Sequence, residues 1–332
     1  MKTAYFRIWG FIIIAFAFWT TIAQAQTPAT QPTVSLLAMG DWGNGTQDQK
    51  TVADRLADVA SKQTIPVNAM LLAGDNFYVP LSGIDDPTWQ TLFEKMYDPV
   101  RMPMPFYVAL GNHDYEDHKA QTELEYAKVH PESRWKLPDH WYRVDFPADH
   151  PLVSLLVLDS NKDNLSADQW SQQLTWLETQ LAKPRNGAWM MAMAHHTIFS
   201  NGAHGDNGVL MTDWGTLFKK YNLDIYLCGH DHDLQHLEIP GWYTSFMLVG
   251  GGGAARRPMR VDNRGPFSRA ILGFANLVFT PDTMTAHYIS GADGSEVHRF
   301  VRHRDGTVEV QFTTPSDKAT TQQLRVFQGL GN

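Results

Sequence analysis

Six short apolar runs break off in the same way. VSLLAMGD (34–41), NAMLLAGD (68–75), PFYVALGN (105–112), SLLVLDS (154–160), WMMAMAHH (189–196) and LDIYLCGH (223–230) each give way to Asp, Asn or His. Near-continuous apolar runs of this length belong to strands covered on both faces. Patterns of helical period lie between them. Val52, Leu56 and Val59 share a face of residues 46–62. Trp170, Leu174, Leu177 and Leu181 share a face of residues 166–183, where Ser166 and Gln169 are spaced as a capping box. Asp41 and Asp75 are 34 residues apart, Asp75 and Asn112 37, and both spacings suit strand–helix–strand units. Past residue 240 the helical pattern fades, and SFMLVGGGG, NLVFTP, MTAHYIS and EVHRFVR read as shorter antiparallel strands. The implied class is α/β, two sheets face to face with helices outside.

With 332 residues, 43% of them hydrophobic, the chain holds ample material for a core. A net charge of −8 argues against a partner held through nucleic-acid phosphates. Lys2 and Arg7, the apolar stretch Phe11 to Trp19 and the Ala23-Gln24-Ala25 pattern read as an export signal cleaved after Ala25. The apolar stretch is short for a membrane span, which takes about 20 residues. The expectation is therefore a periplasmic or secreted protein without stable membrane association. Its layout would be a signal at 1–25, a linker at 26–33, a catalytic domain at 34–304, and a strand with a polar tail at 305–332. Cys228, the single cysteine, excludes an internal disulfide and reads as a small buried residue.

In an open α/β sheet, ligands bind beyond the carboxyl ends of the strands. Here those ends present Asp41, then Asp75 and Asn76, then Asn112, His113 and Asp114, then His195 and His196, and last His230 and His232. Burying this set unpaired would be costly, and the motifs supply no cations of their own. Metal ions are the answer. Carboxylate, amide oxygen and imidazole without thiolate suit iron, zinc or manganese. The ligands are too many for one ion. Two ions about 3.5–4 Å apart, sharing a carboxylate, form the arrangement used for phosphate-ester hydrolysis.

GDWG (40–43), GDNFY (74–78), GNHD (111–114), AHH (194–196) and GHDH (229–232), in this order, resemble the motifs of the calcineurin-like metallophosphoesterases. Tyr78 in GDNFY and the segment SRWKLPDHWYRVDF (133–146) narrow the resemblance to purple acid phosphatases of the tartrate-resistant type, over roughly residues 34–300. The resemblance implies a four-layer αββα sandwich with two central mixed sheets. It implies that Asp41, Asp75, Tyr78 and His232 hold Fe(III), and that Asp75 also bridges to a divalent Fe, Zn or Mn completed by Asn112, His195 and His230. His113 and His204 match two histidines beside the metals, and imply transition-state stabilisation and proton delivery to the leaving group. The implied activity is acid hydrolysis of phosphate monoesters by a metal-bound hydroxide, with small phosphate esters or phosphoproteins as substrates and a monomeric enzyme. A binuclear phosphodiesterase and a catalytically silent metal-binding protein are the alternatives.

Several residues near the motifs invite plainer readings. Strand alternation favours His195 over His196 as the ligand. Asp114 and Asp231 read as carboxylates orienting imidazoles, and Asn76 as a turn residue. Tyr115 is placed to line a substrate pocket. His236 and His298 read as surface or structural residues, and Gly250–Gly253 as a tight strand exit. Arg256, Arg257 and Arg260 suit either an anionic substrate or a solvated loop. Little room remains between Asp159 and Ser166 for an activation loop cut by proteolysis.

Overall fold

All six apolar runs become strands or strand exits. The computed structural model describes Met1, residues 31–260 and residues 264–314, so the expected export signal, most of the linker and the polar tail lie outside the described residues. β1 (Val34–Met39), β2 (Ala69–Ala73) and β3 (Phe106–Ala109) pair in parallel, and β4 (Trp135–Lys136) extends β3. β5 (Tyr142–Phe146) runs antiparallel to β6 (Val153–Val157), which is followed in parallel by β7 (Trp189–Met193) and β8 (Ile225–Cys228).

Beyond β8, β9 (Leu234–Glu238), β10 (Ser245–Val249) and β11 (Phe267–Arg269) complete a seven-stranded sheet of order β11-β9-β10-β8-β7-β6-β5. β12 (Gly273–Phe279), β13 (Thr283–Ser290), β14 (Glu296–His303) and β15 (Val308–Thr313) form an antiparallel meander that joins β1. The eight-stranded sheet therefore has the order β15-β14-β13-β12-β1-β2-β3-β4. Both sheets are mixed, and β15 continues the sheet past residue 304.

Alternation in the second sheet explains the continuous apolar runs. Leu155, Val157, Met191, Met193 and Leu227 pack into the core shared with the first sheet. Their neighbours Leu156, Leu158, Met190, Ala192 and Tyr226 face a second cluster with Trp170, Leu177, Trp214 and Phe218. Those partners come from α3 (Ala167–Leu181), from α5 (Gly215–Tyr221) and from the residue between α5 and α4 (Gly208–Asp213). Each fully buried Leu or Val contributes about 1.5–3 kcal/mol, so both faces of these strands hold the layers together. α1 (Gln47–Lys62) buries Val52, Ala53, Leu56 and Ala57, with Thr46 as its N-cap. α3 carries the Ser166/Gln169 capping box, both hydrogen bonds being present. No helix among the described residues is long and apolar enough to cross a membrane.

Polar composition hid two elements. β9 carries Gln235 and His236, both fully buried. His236 meets His298 through Nδ1 at 2.9 Å and Glu238 through Nε2 at 2.7 Å, so both histidines are interior structural residues. α2 (Lys119–Val129) buries Lys119 and Glu123, which left no apolar stripe to read.

Candidate metal centre

At the ends of β1, β2 and β8 the backbone turns through the left-handed region, with φ of 61° at Asp41, 52° at Asp75 and 71° at His230. Such residues cost of order 1 kcal/mol or more and persist where surrounding bonds over-determine them. Here Asp41 N–H donates to Gly74 O at 3.0 Å, and His230 N–H donates to Asp41 Oδ2 at 3.0 Å. Glycines let the loops meet. A Cβ on Gly111 would stand 2.2 Å from Asp75 Oδ1, and one on Gly229 would stand 2.4 Å from Asp41 Oδ2.

Two donor sets result. Tyr78 Oη lies 3.3 Å from Asp41 Oδ1, 3.1 Å from Asp75 Oδ2 and 3.2 Å from His232 Nε2. Beside it, His195 Nε2 lies 3.2 Å from Asn112 Oδ1, 3.3 Å from Asp75 Oδ1 and 3.1 Å from His230 Nδ1. Asp75 thus turns one oxygen to each set. Both sets draw on both sheets. Asp41, Asp75, Tyr78 and Asn112 follow strands of the first sheet; His195, His230 and His232 follow strands of the second.

The imidazole tautomers are legible too. His195 Nδ1 is 2.9 Å from Ala73 O and His232 Nδ1 is 2.7 Å from Ala255 O. A carbonyl only accepts, so both Nδ1 atoms carry hydrogen and both Nε2 atoms are turned inward as the ligating positions. His196 turns away, its Nδ1 2.8 Å from Ser160 Oγ.

The site needs positive charge. Asp41 and Asp75 are buried, and among the described residues neither is paired with Lys or Arg. Burial, with Asp75 nearby, raises Asp41 above the ordinary carboxylate range. Burial and the two carboxylates likewise raise the Tyr78 hydroxyl. Burial alone would lower His195, but Asp75 and Asp41 override it and push it up to about 10. Burial and His195 depress His230. Asp41, Asp75 and His232 offer donor atoms all within 4.8 Å of one another. Hard oxygens and imidazoles around two buried carboxylates that have no Lys or Arg partner among the described residues fit two cations of the iron, zinc or manganese type.

His113 sits on the tyrosine side. Its N–H donates to Asp75 Oδ1 at 2.9 Å, its ring centroid is 4.6 Å from that of Tyr78, and its Nδ1 is 3.1 Å from Glu116 Oε1. His204 sits on the other side, its ring 3.9 Å from that of His230. Its Nε2 meets the Arg257 guanidinium, and burial together with Arg257 lowers its proton affinity. Arg257 therefore brings a fixed positive charge beside the His204 ring.

The motif aspartates brace loops and do not orient imidazoles. Asp114 accepts from Gly111 N at 2.7 Å and Asn76 N at 2.8 Å, tying the GNHD loop to the GDNFY loop. Asp231 accepts from Ser200 Oγ and from His204 N at 3.0 Å. Asn76 is more than a turn residue: its amide bonds Ala109 O, Asp114 and Glu123 and accepts from Trp42 Nε1. Tyr115 Oη is engaged by Asp159 and His140. Gly250 and Gly252 pack tightly against the loops of Asp231 and Gly40, as a strand exit requires.

Comparisons with known proteins agree with this geometry. Residues 34–234 match the family model described as calcineurin-like phosphoesterase. The chain is 28% identical over 306 residues to tartrate-resistant acid phosphatase type 5 of Homo sapiens, covering 83% of this chain and 91% of that protein. It is 30% identical over 251 residues to purple acid phosphatase 3 of Arabidopsis thaliana, covering 69% and 66%. Among solved structures, the purple acid phosphatase PPD1 of yellow lupin superposes with a TM-score of 0.62 at 17% identity, covering 83% of this chain and 55% of that one. The GAP50 anchor of the Plasmodium inner membrane complex superposes at 0.69 with 20% identity, covering 86% and 91%. The matched family model spans all five motif-bearing loops, and the chain belongs to the calcineurin-like phosphoesterases.

Proposed function

We propose that the protein is an exported, monomeric acid phosphatase that hydrolyses phosphate monoesters at a paired Fe(III)–divalent site. The observation that carries the reading is Asp75, whose two oxygens face two separate donor sets with Tyr78 in only one of them. An anionic phenolate oxygen favours a hard trivalent ion on its side, and the neutral Asn112, His195 and His230 set suits a divalent one. When bound, the two ions acidify water and neutralise phosphoryl charge. The chain's own residues do the rest. Asp75 spaces the two donor sets, and Ala73 O and Ala255 O hold His195 and His232 in the ligating tautomer. His113 stands beside Tyr78, with Glu116 on its Nδ1, where it can hydrogen-bond a phosphoryl oxygen and give a proton to the leaving alkoxide. The names of the acid phosphatase relatives support the choice of reaction.

Phenyl phosphate and diphenyl phosphate compared at acid pH, with elemental analysis of the same preparation, test the proposal. Preference for the monoester with iron present is expected. Preference for the diester would favour the phosphodiesterase reading, and no turnover by metal-replete protein would favour the silent one.

A further inference from the structure

We propose that Arg257 sets substrate specificity. Its guanidinium holds a second anionic group on the leaving side of the substrate, selecting phosphate monoesters that also carry a carboxylate or another phosphate. The inference rests on the phosphatase reading and narrows its substrate class.

The segment after β10 is stapled to the site at three points. Ala254 N–H donates to Asp41 O at 2.9 Å. Ala255 O accepts from His232 Nδ1 at 2.7 Å. Two residues on, the Arg257 guanidinium meets His204 Nε2, and the His204 ring packs at a tilt against that of His230. The arginine is therefore fixed one imidazole beyond the donor sets, half-exposed to solvent.

Among the described residues no carboxylate pairs with Arg257. Arg264 shows the contrast: Asp206 grips it through both oxygens, each contact 2.8 Å, and neutralises it. Arg260 adds a second cation without a carboxylate partner among the described residues. Its terminal nitrogen lies 3.2 Å from the point where a Cβ on Gly205 would stand. A guanidinium presents a planar fork matched to carboxylate or phosphate, and only one nitrogen of the Arg257 fork is engaged. The scissile phosphoryl group belongs between the two donor sets. An anion reaching Arg257 therefore sits on another part of the same molecule.

In the reaction, the oxygen of water bonds to phosphorus, the ester P–O bond breaks, and the departing alkoxide takes up a proton. The second anion does not react. It holds the leaving group in register, so its binding energy is spent on the chemical step.

Ethyl phosphate and 2-phosphoglycolate share a two-carbon ester and differ by one carboxylate, which makes them the test pair. In the metal-loaded protein, kcat/KM should favour phosphoglycolate. Arg257→Ala should shrink that ratio about tenfold or more, and Arg257→Lys should fall between, since it keeps the charge but loses the fork. Calorimetric binding of inorganic pyrophosphate against inorganic phosphate reads the same contact without turnover. Arg257→Ala should weaken pyrophosphate selectively, with metal content and unfolding temperature unchanged. Equal losses for both members of either pair would overturn the role of Arg257. Absence of turnover on any monoester would instead overturn the phosphatase reading, and the pyrophosphate comparison would still decide the arginine.

Discussion

Gly111→Ala puts the ligand geometry to its sharpest test. Gly111 does not occupy the left-handed region, so its backbone accepts alanine and only space decides the outcome. The added Cβ would stand 2.2 Å from both Asp75 N and Asp75 Oδ1, about 1.2 Å short of the ordinary 3.4 Å contact. That carboxylate is held by His113 N at 2.9 Å and lies 3.3 Å from His195 Nε2, so a retreat disturbs both contacts. Metal–ligand distances tolerate about 0.2 Å, a small fraction of the displacement required. The expected cost is about 1–3 kcal/mol of stability from overpacking. Metal affinity should fall about 10–100-fold or more, as when ligand supports are disturbed. Elemental analysis after dialysis against graded chelator, with urea unfolding alongside, reads both quantities. Gly208→Ala, where a Cβ would meet nothing within 4 Å at the start of α4, is the control and should leave metal content unchanged without lowering stability. A Gly111→Ala protein that kept wild-type metal content through the chelator series would refute the argument, since it would show that Asp75 can move freely.

Tyr78→Phe removes the one phenolic oxygen among the two donor sets. The variant should lose any visible absorption band while keeping its far-ultraviolet circular dichroism, and a coloured Tyr78→Phe protein would place the chromophore elsewhere. Glu123 gives a pH prediction. Burial, with Asp114 beside it, raises its carboxyl well above the ordinary glutamate range. A carboxyl raised in the folded state gives stability that is complete below its unfolded value and drains away as pH climbs. Glu123→Gln keeps the acceptor facing Asn76 and removes the charge. Its urea midpoint, relative to wild type, should therefore improve steadily from about pH 5 to 8. Parallel curves would refute the assignment.

The two-sheet core was legible because its strands need cover on both faces. VSLLAM and WMMAM are apolar apart from Ser35, and every residue in them is buried. The convergence of the expected ligand residues was legible for the complementary reason, since Asp and His directly after such strands have few places to go. What stayed hidden was polar and paired inside the fold. β9 could not be read because the burial of Gln235 depends on Asn201, Ser200 and Asp233, each of them distant in sequence or in a loop. Asp114 was misread because most of its partners are backbone N–H groups, which no sequence displays. The sequence left Arg257 open between an anionic substrate and a solvated loop, and its contact with His204, 53 residues away, is what the structure adds.

Because each donor set takes side chains from both sheets, the ions would work as a clasp across the seam between two halves of the molecule. Stripping them should loosen β1 and β2 together with β7 and β8, and amide hydrogen exchange would register this as a joint loss of protection. Cargo at the site and cohesion of the scaffold are one equilibrium here, so the affinity of the metals and the melting of the sandwich should rise and fall as a pair.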